Sequence, residues 1–198
     1  MTEQESLQVI TQMIKQAQNN FQKGSGNCMI FWGYLIVFAT LLVFGLSFKF
    51  GNKANFVWLI IIPGWLVTFL MMKKINRSAI VKTHINHIVD SVWIAFFVSA
   101  VVLQLIFWSM YYYYGATLQF NMMMPVILLN TGVAEYIMGK AYRFRPYVNG
   151  GFIFWLGAIV CLLILPYVLF HFLILAVCMV FGYIIPGLML NKKAKENV

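Results

Sequence analysis

From Gly151 to Leu190 the chain runs for 40 residues without one side chain that is formally charged at neutral pH. About 20 apolar residues wound as a helix match the roughly 30 Å hydrocarbon core of a bilayer. The run is therefore long enough for two crossings and must fold back on itself, with Pro166 and His171 marking the expected turn. Shorter uncharged runs precede it at Cys28–Phe48, Phe56–Met72, Val92–Tyr114 and about Leu118–Met138. Of the 198 residues 62% are hydrophobic and only 10% charged, which is more apolar surface than a soluble domain of this size can hide. The sequence predicts an all-α polytopic membrane helical bundle. Six transmembrane helices occupy residues 28–190, an amphipathic helix precedes them in residues 1–24, and a basic tail, 191–198, follows.

The basic residues orient this arrangement. With six crossings drawn, Lys15 and Lys23, then Lys73, Lys74, Arg77 and Lys82, then Lys140, Arg143 and Arg145, and finally Lys192, Lys193 and Lys195 fall on one side. Of the 14 basic residues only Lys49 and Lys53 fall opposite. Positive charge is retained on the cytoplasmic side, so both termini are expected in the cytoplasm. The same distribution accounts for the net charge of +9 without nucleic acid, and leaves the lipid bilayer as the expected partner of those cations. The first 27 residues are mostly polar and lack the pattern of a cleaved signal peptide, so the first span is expected to direct insertion itself. Cys28, Cys161 and Cys178 lie within spans without a C-x-x-C pair, and read as small packing residues.

Before the first span, Leu7, Ile10, Ile14, Ala17 and Phe21 recur at steps of three and four, one face of a helix opened by the capping pair Thr2 and Glu5. Such a stripe rests on the membrane interface or the protein's own loops, or docks a protein partner or a second copy through Leu7, Ile10, Ile14 and Phe21. A threefold repeat of helical hairpins is suggested by Trp32, Trp93 and Trp155, and by Pro63, Pro125 and Pro186, each set spaced by 61 or 62 residues. Tyr111–Tyr114 is placed at the outer boundary, where amphipathic rings favour the headgroup layer.

Glu5-Ser6-Leu7 with Ile10, Met13-Ile14, Ala17 and Phe21, then Trp32-Gly33, Gly150-Gly151 with Trp155, and Gly182-Tyr183-Ile184-Ile185-Pro186-Gly187 together resemble an uncharacterised family of small multi-span inner-membrane proteins of Bacteroidota. The resemblance covers most of the chain and implies the membrane location but no activity.

Polar side chains in or beside the spans are the candidate sites. Glu135 lies three residues before Met138, which places it near the cytoplasmic end of the fourth span, and it shares a helix face with Gly132 and Gly139. Small residues admit a close neighbour, so the carboxylate is expected to face protein and to pair with Lys140, Arg143, Arg145 or a histidine, or else to serve as a proton or cation site. Gln104, Asn130 and Thr131 are the other in-span polar candidates, as interhelical glue or as the lining of a path. At the start of the third span, His84, His87 and Asp90 follow one another at steps of three. An H-x-x-H pair without an accompanying ligand set is weak ground for a metal, and no cofactor is implied.

Enzymatic chemistry is not expected, because G-x-S-x-G, a Gly-rich phosphate loop and an acidic cluster are all missing from a chain with five acidic residues. Lys140 to Arg145-Pro146 bears only a faint likeness to the basic motif of membrane lipid phosphatases, with the wrong spacing and no P-S-G-H. Two functional classes follow. One is a small transporter or channel component, which a polar cavity joining Gln104, Asn130 and Glu135 would distinguish from the other. The other is a membrane sensor or assembly partner acting through the N-terminal helix.

Overall fold

The computed structural model describes residues 25–78, 84–115 and 118–196, and all its regular elements are helical. In chain order they are α1 (Ser25–Phe50), a 3-10 segment (Gly51–Ile60), α2 (Ile61–Ser78), α3 (His84–Tyr114), α4 (Leu118–Ala141), α5 (Arg145–Leu163), α6 (Val168–Met179), a π segment (Val180–Ile184) and α7 (Ile185–Glu196). Among the described residues five helical stretches are long and apolar enough to cross a membrane, namely Gly26–Lys73, His87–Tyr113, Asn121–Ala141, Arg145–Leu163 and Val168–Ala194. Their outward surface carries large apolar side chains such as Phe38, Leu66, Val98, Leu105, Leu156 and Leu163. Water would not tolerate a continuous apolar surface of that extent. The N-terminal stripe Leu7, Ile10, Ile14 and Phe21 lies outside the described residues.

The first stretch, 48 residues long, doubles back. The Cys28 Sγ lies 3.8 Å from the Met72 Sδ, and the Trp32 and Trp65 rings meet edge to face at 5.9 Å, so α1 and α2 run antiparallel. Their connection is not the simple loop expected between Phe48 and Phe56. Gly51 turns the chain at φ +55°, and a 3-10 segment follows whose Ala54 is buried with Val43 and Phe172.

Between α4 and α5 a much tighter turn is built from backbone bonds. The Phe144 N–H donates to the Gly139 carbonyl at 2.9 Å and the Arg143 N–H to the Lys140 carbonyl at 3.2 Å, the paired pattern of a Schellman ending. Phe144 and Met138 supply its customary apolar contact inside the core. The left-handed position, at φ 50°, is filled by Arg143 where glycine is usual. Pro146 then sits in the first turn of α5, where its missing N–H costs nothing and its fixed φ favours the helix. This corrects the expected start of the fifth span at Gly151, because the proline begins the helix at Arg145 instead of interrupting it.

Glycines let α4, α5 and the π segment approach backbone to backbone. A Cβ on Gly151 would stand 2.8 Å from the Gly132 carbonyl oxygen, and one on Gly150 would stand 2.7 Å from that of Gly182. The turn between α5 and α6 occupies 164–167, around Pro166 as expected, but His171 is not part of it and lies buried in the first turn of α6. Nor does the last helix stop at Leu190. It continues to Glu196, and Ala194 is a core residue while Asn191 donates to the Asn27 Oδ1 at 2.6 Å, so the helix packs on the bundle past Leu190.

The chain does form helical hairpins, yet the repeated residues do not hold equivalent places. Trp32 packs against Gly64, next to Pro63, whereas Trp155 packs against Gly132 and donates to the Leu129 carbonyl, seven and four residues beyond Pro125.

Candidate functional site

Helix α4 carries its polar residues on separate faces. Asn130 turns toward α3, where its Nδ2 donates to the Ser99 Oγ at 2.9 Å and to the Phe96 carbonyl at 3.3 Å. That amide is satisfied and acts as interhelical glue. Gln104, also on α3, is exposed and meets neither Asn130 nor Glu135. The structure therefore does not assemble the cavity that would join these three residues. At 100° per residue, positions 130 and 135 stand about 140° apart on the helix, and α3 can face only one of them.

Glu135 and Thr131, one turn apart, point into the bundle. Thr131 is 6% exposed and its hydroxyl donates to the Ile127 carbonyl at 2.8 Å. Glu135 is fully buried, at 0% exposure. The glycine seam on α4 explains how: Gly132 and Gly139 lie directly on α5, so Glu135 between them is enclosed by helix instead of lipid. The expectation that it faces protein is met. α4 continues to Ala141, six residues beyond Glu135, and the side chain is sealed inside the bundle.

Among the described residues the expected ion pair does not form. Among the described residues neither carboxyl oxygen of Glu135 has a hydrogen-bond partner. Arg143 and Arg145 are both exposed, turned outward by the Schellman ending that separates α4 from α5, and Lys140 lies over the Tyr136 ring, 5.3 Å from its centroid. His87 and Asp90 are exposed on α3, while the His84 side chain lies outside the described residues. Two buried phenols, Tyr147 on α5 and Tyr183 in the π segment, belong to the same core. Trp93 and Phe154 enclose Tyr183 edge-on at 6.1 and 5.8 Å.

An ionised carboxylate buried without a cation costs several kcal/mol, roughly 3–5 in cases where a partner has been removed. A proton or a metal cation neutralises it. The π segment adds a second irregularity at the same level, since Gly182 lies against Gly150 and Gly150 adjoins the Gly151–Gly132 contact. One-turn π bulges inside α-helices recur at functional sites.

Sequence reasoning missed two buried polar residues. Thr40 of α1 is fully buried, its hydroxyl bonded to the Ile36 and Val37 carbonyls, both at 2.9 Å. His171 of α6 is also fully buried; its Nε2 lies 3.3 Å from the Ile164 carbonyl oxygen and its Nδ1 has no partner among the described residues. The signal for His171 was present, as the lone titratable nitrogen in an uncharged run of that length.

No family model matches the chain, and comparison with curated proteins and with solved structures finds no match either. The resemblance to the Bacteroidota family thus rests on its short motifs alone.

Proposed function

We propose that this chain is a small transporter or channel component of a bacterial inner membrane, in which Glu135 is the residue that binds the transported or coupling ion. It works without catalytic chemistry of its own. Six crossings with both termini in the cytoplasm suit the antiparallel pairing of α1 with α2 and the distribution of the basic residues. The observation that carries the reading is the fully buried carboxyl group of Glu135 with both oxygens unpartnered. Ionisable groups inside membrane bundles mark ion and proton pathways when they are not paired structurally, and among the described residues Glu135 has no structural pair.

A bound ion stabilises the fold by mass action, by about 2.7 kcal/mol at a hundred times its dissociation constant. Thermal unfolding of the purified protein in detergent is therefore expected to respond to Na⁺, K⁺ or pH, and Glu135→Gln is expected to abolish that response. A variant that responds to every ion as the wild type does would overturn the assignment of Glu135.

A further inference from the structure

The described residues bury four polar side chains in the core, Thr40, Thr131, Glu135 and His171, and two of these are titratable groups with unpartnered atoms. Their chemistry is complementary. A carbonyl oxygen only accepts, so the contact with Ile164 requires the proton of a neutral His171 to sit on Nε2, leaving the Nδ1 lone pair bare. Glu135 offers the converse, a carboxyl group with no acceptor or donor engaged.

These two groups lie at different depths of one bundle. Glu135 is level with Gly150 and Gly182, and α6 with the π segment runs from His171 to Gly182. Eleven residues at the helical rise separate the two levels by about 16 Å. The threonines fall between them. Thr131 stands one turn from Glu135 in the direction of the Ile164 turn. Thr40 lies seven residues beyond Gly33, which packs on Ile184, and α1 runs opposite to α6. Both hydroxyls donate to carbonyls of their own helix and retain lone pairs.

We propose that Glu135 and His171 are the inner and outer stations of a proton path through the bundle, passing Thr131 and Thr40. This rests on the transport reading above and names its ion. A proton arriving from the side of the Ile164–Tyr167 turn binds Nδ1 and makes the imidazolium. Water admitted between the stations carries a proton on to the Glu135 carboxylate, which becomes the acid and later releases it toward the Tyr142–Phe144 turn. One proton is moved, both groups return to their starting forms, and no oxidant or reductant takes part. Around Glu135 the titratable groups are Tyr147 on α5 and Tyr183 in the π segment, with Cys28 of α1 and Tyr142 beside Tyr147 and Asp90 of α3 beyond Tyr142. The apolar side chains clustered at the level of His171 are Val43, Ala54, Trp58, Met124, Leu169 and Phe172, and the buried thiols of Cys161 on α5 and Cys178 on α6 are the titratable groups of the neighbouring turns.

The test is proton uptake into vesicles holding a pH-sensitive dye, driven by a potassium diffusion potential, for the wild type, Glu135→Gln, His171→Gln and His171→Asn. Uptake by the wild type that falls roughly a hundredfold in each variant is expected, the scale on which a positioned proton-transfer group acts. Uptake lost in Glu135→Gln but unchanged in either His171 variant would overturn the path while sparing the Glu135 site. Flux of Na⁺ or K⁺ in place of protons would overturn the ion and spare the site as well. No Glu135-dependent flux of any ion would remove both. Nitrogen NMR of His171, in a background of His84→Gln and His87→Gln, covers the case in which His171 variants do not fold. An Nε2-protonated ring that gains its second proton over the pH range in which uptake changes supports the proposal, and one unchanged across that range refutes it.

Discussion

Replacing Glu135 by leucine should stabilise this protein, although the residue is fully buried in its core. The substitution nearly conserves volume and removes two carboxyl oxygens that have no partner among the described residues. A buried polar group left unsatisfied costs about 1–3 kcal/mol. Imperfect shape at a nearly isosteric core substitution takes back up to about 1.5 kcal/mol. The difference runs from about −0.5 to about +3 kcal/mol and centres on a net gain of about 1 kcal/mol, in line with the effect of exchanging buried ionic groups for apolar ones. For a chain of this length each kcal/mol moves the midpoint by about 2–4 °C. Thermal unfolding in one detergent at one heating rate, followed by tryptophan fluorescence, measures the shift. An ion pair with Arg143 or Arg145 would give the opposite sign, and would make Arg143→Gln or Arg145→Gln non-additive with Glu135→Leu. A midpoint that falls by more than about 2 °C, or coupling above about 0.5 kcal/mol with either arginine, refutes the unpaired carboxyl group.

Asn130→Val should lower stability by about 0.6–1.7 kcal/mol in the same assay, because it strips the bonds to Ser99 and Phe96 that tie α3 to α4; Gln104→Val, on the exposed face of α3, should change little. Burial first, and then the nearby Asp90 carboxylate, pushes the Tyr142 phenol from 10.0 up to about 12. The unfolded chain ionises first, so stability held below pH 10 drains as pH climbs toward 12, and Tyr142→Phe should flatten that alkaline loss in a pH series. Single cysteines at Asn52, Tyr113 and Tyr167, on a background without Cys28, Cys161 and Cys178, should react with an impermeant reagent from outside, and one at Lys192 should not; protection at Tyr113 would break the six-crossing topology.

Most of the helical layout was legible because the bilayer imposes a length and an apolar surface, and uncharged runs such as Val92–Tyr114 report both. Helix ends were less legible. Pro166 interrupts a helix, whereas Pro146 begins one, and the difference lies in the Schellman bonds before it and not in the residue itself. The face of Glu135 could be read from Gly132 and Gly139, because spacing alone sets which side chains share a stripe. Its lack of a partner could not. Whether Arg143 and Arg145 turn inward depends on the backbone of one short turn, and Arg143 adopts there a conformation that few non-glycine residues occupy. The π segment has no sequence rule of its own, so the level shared by Gly182 and Glu135 emerges only from packing.

The central claim, that Glu135 holds an ion inside the bundle, is tested most directly by ion flux into vesicles carrying equal amounts of folded wild type or Glu135→Gln. A proton or cation flux through the wild type that the single substitution abolishes is the predicted result. Equal flux through both proteins would contradict it.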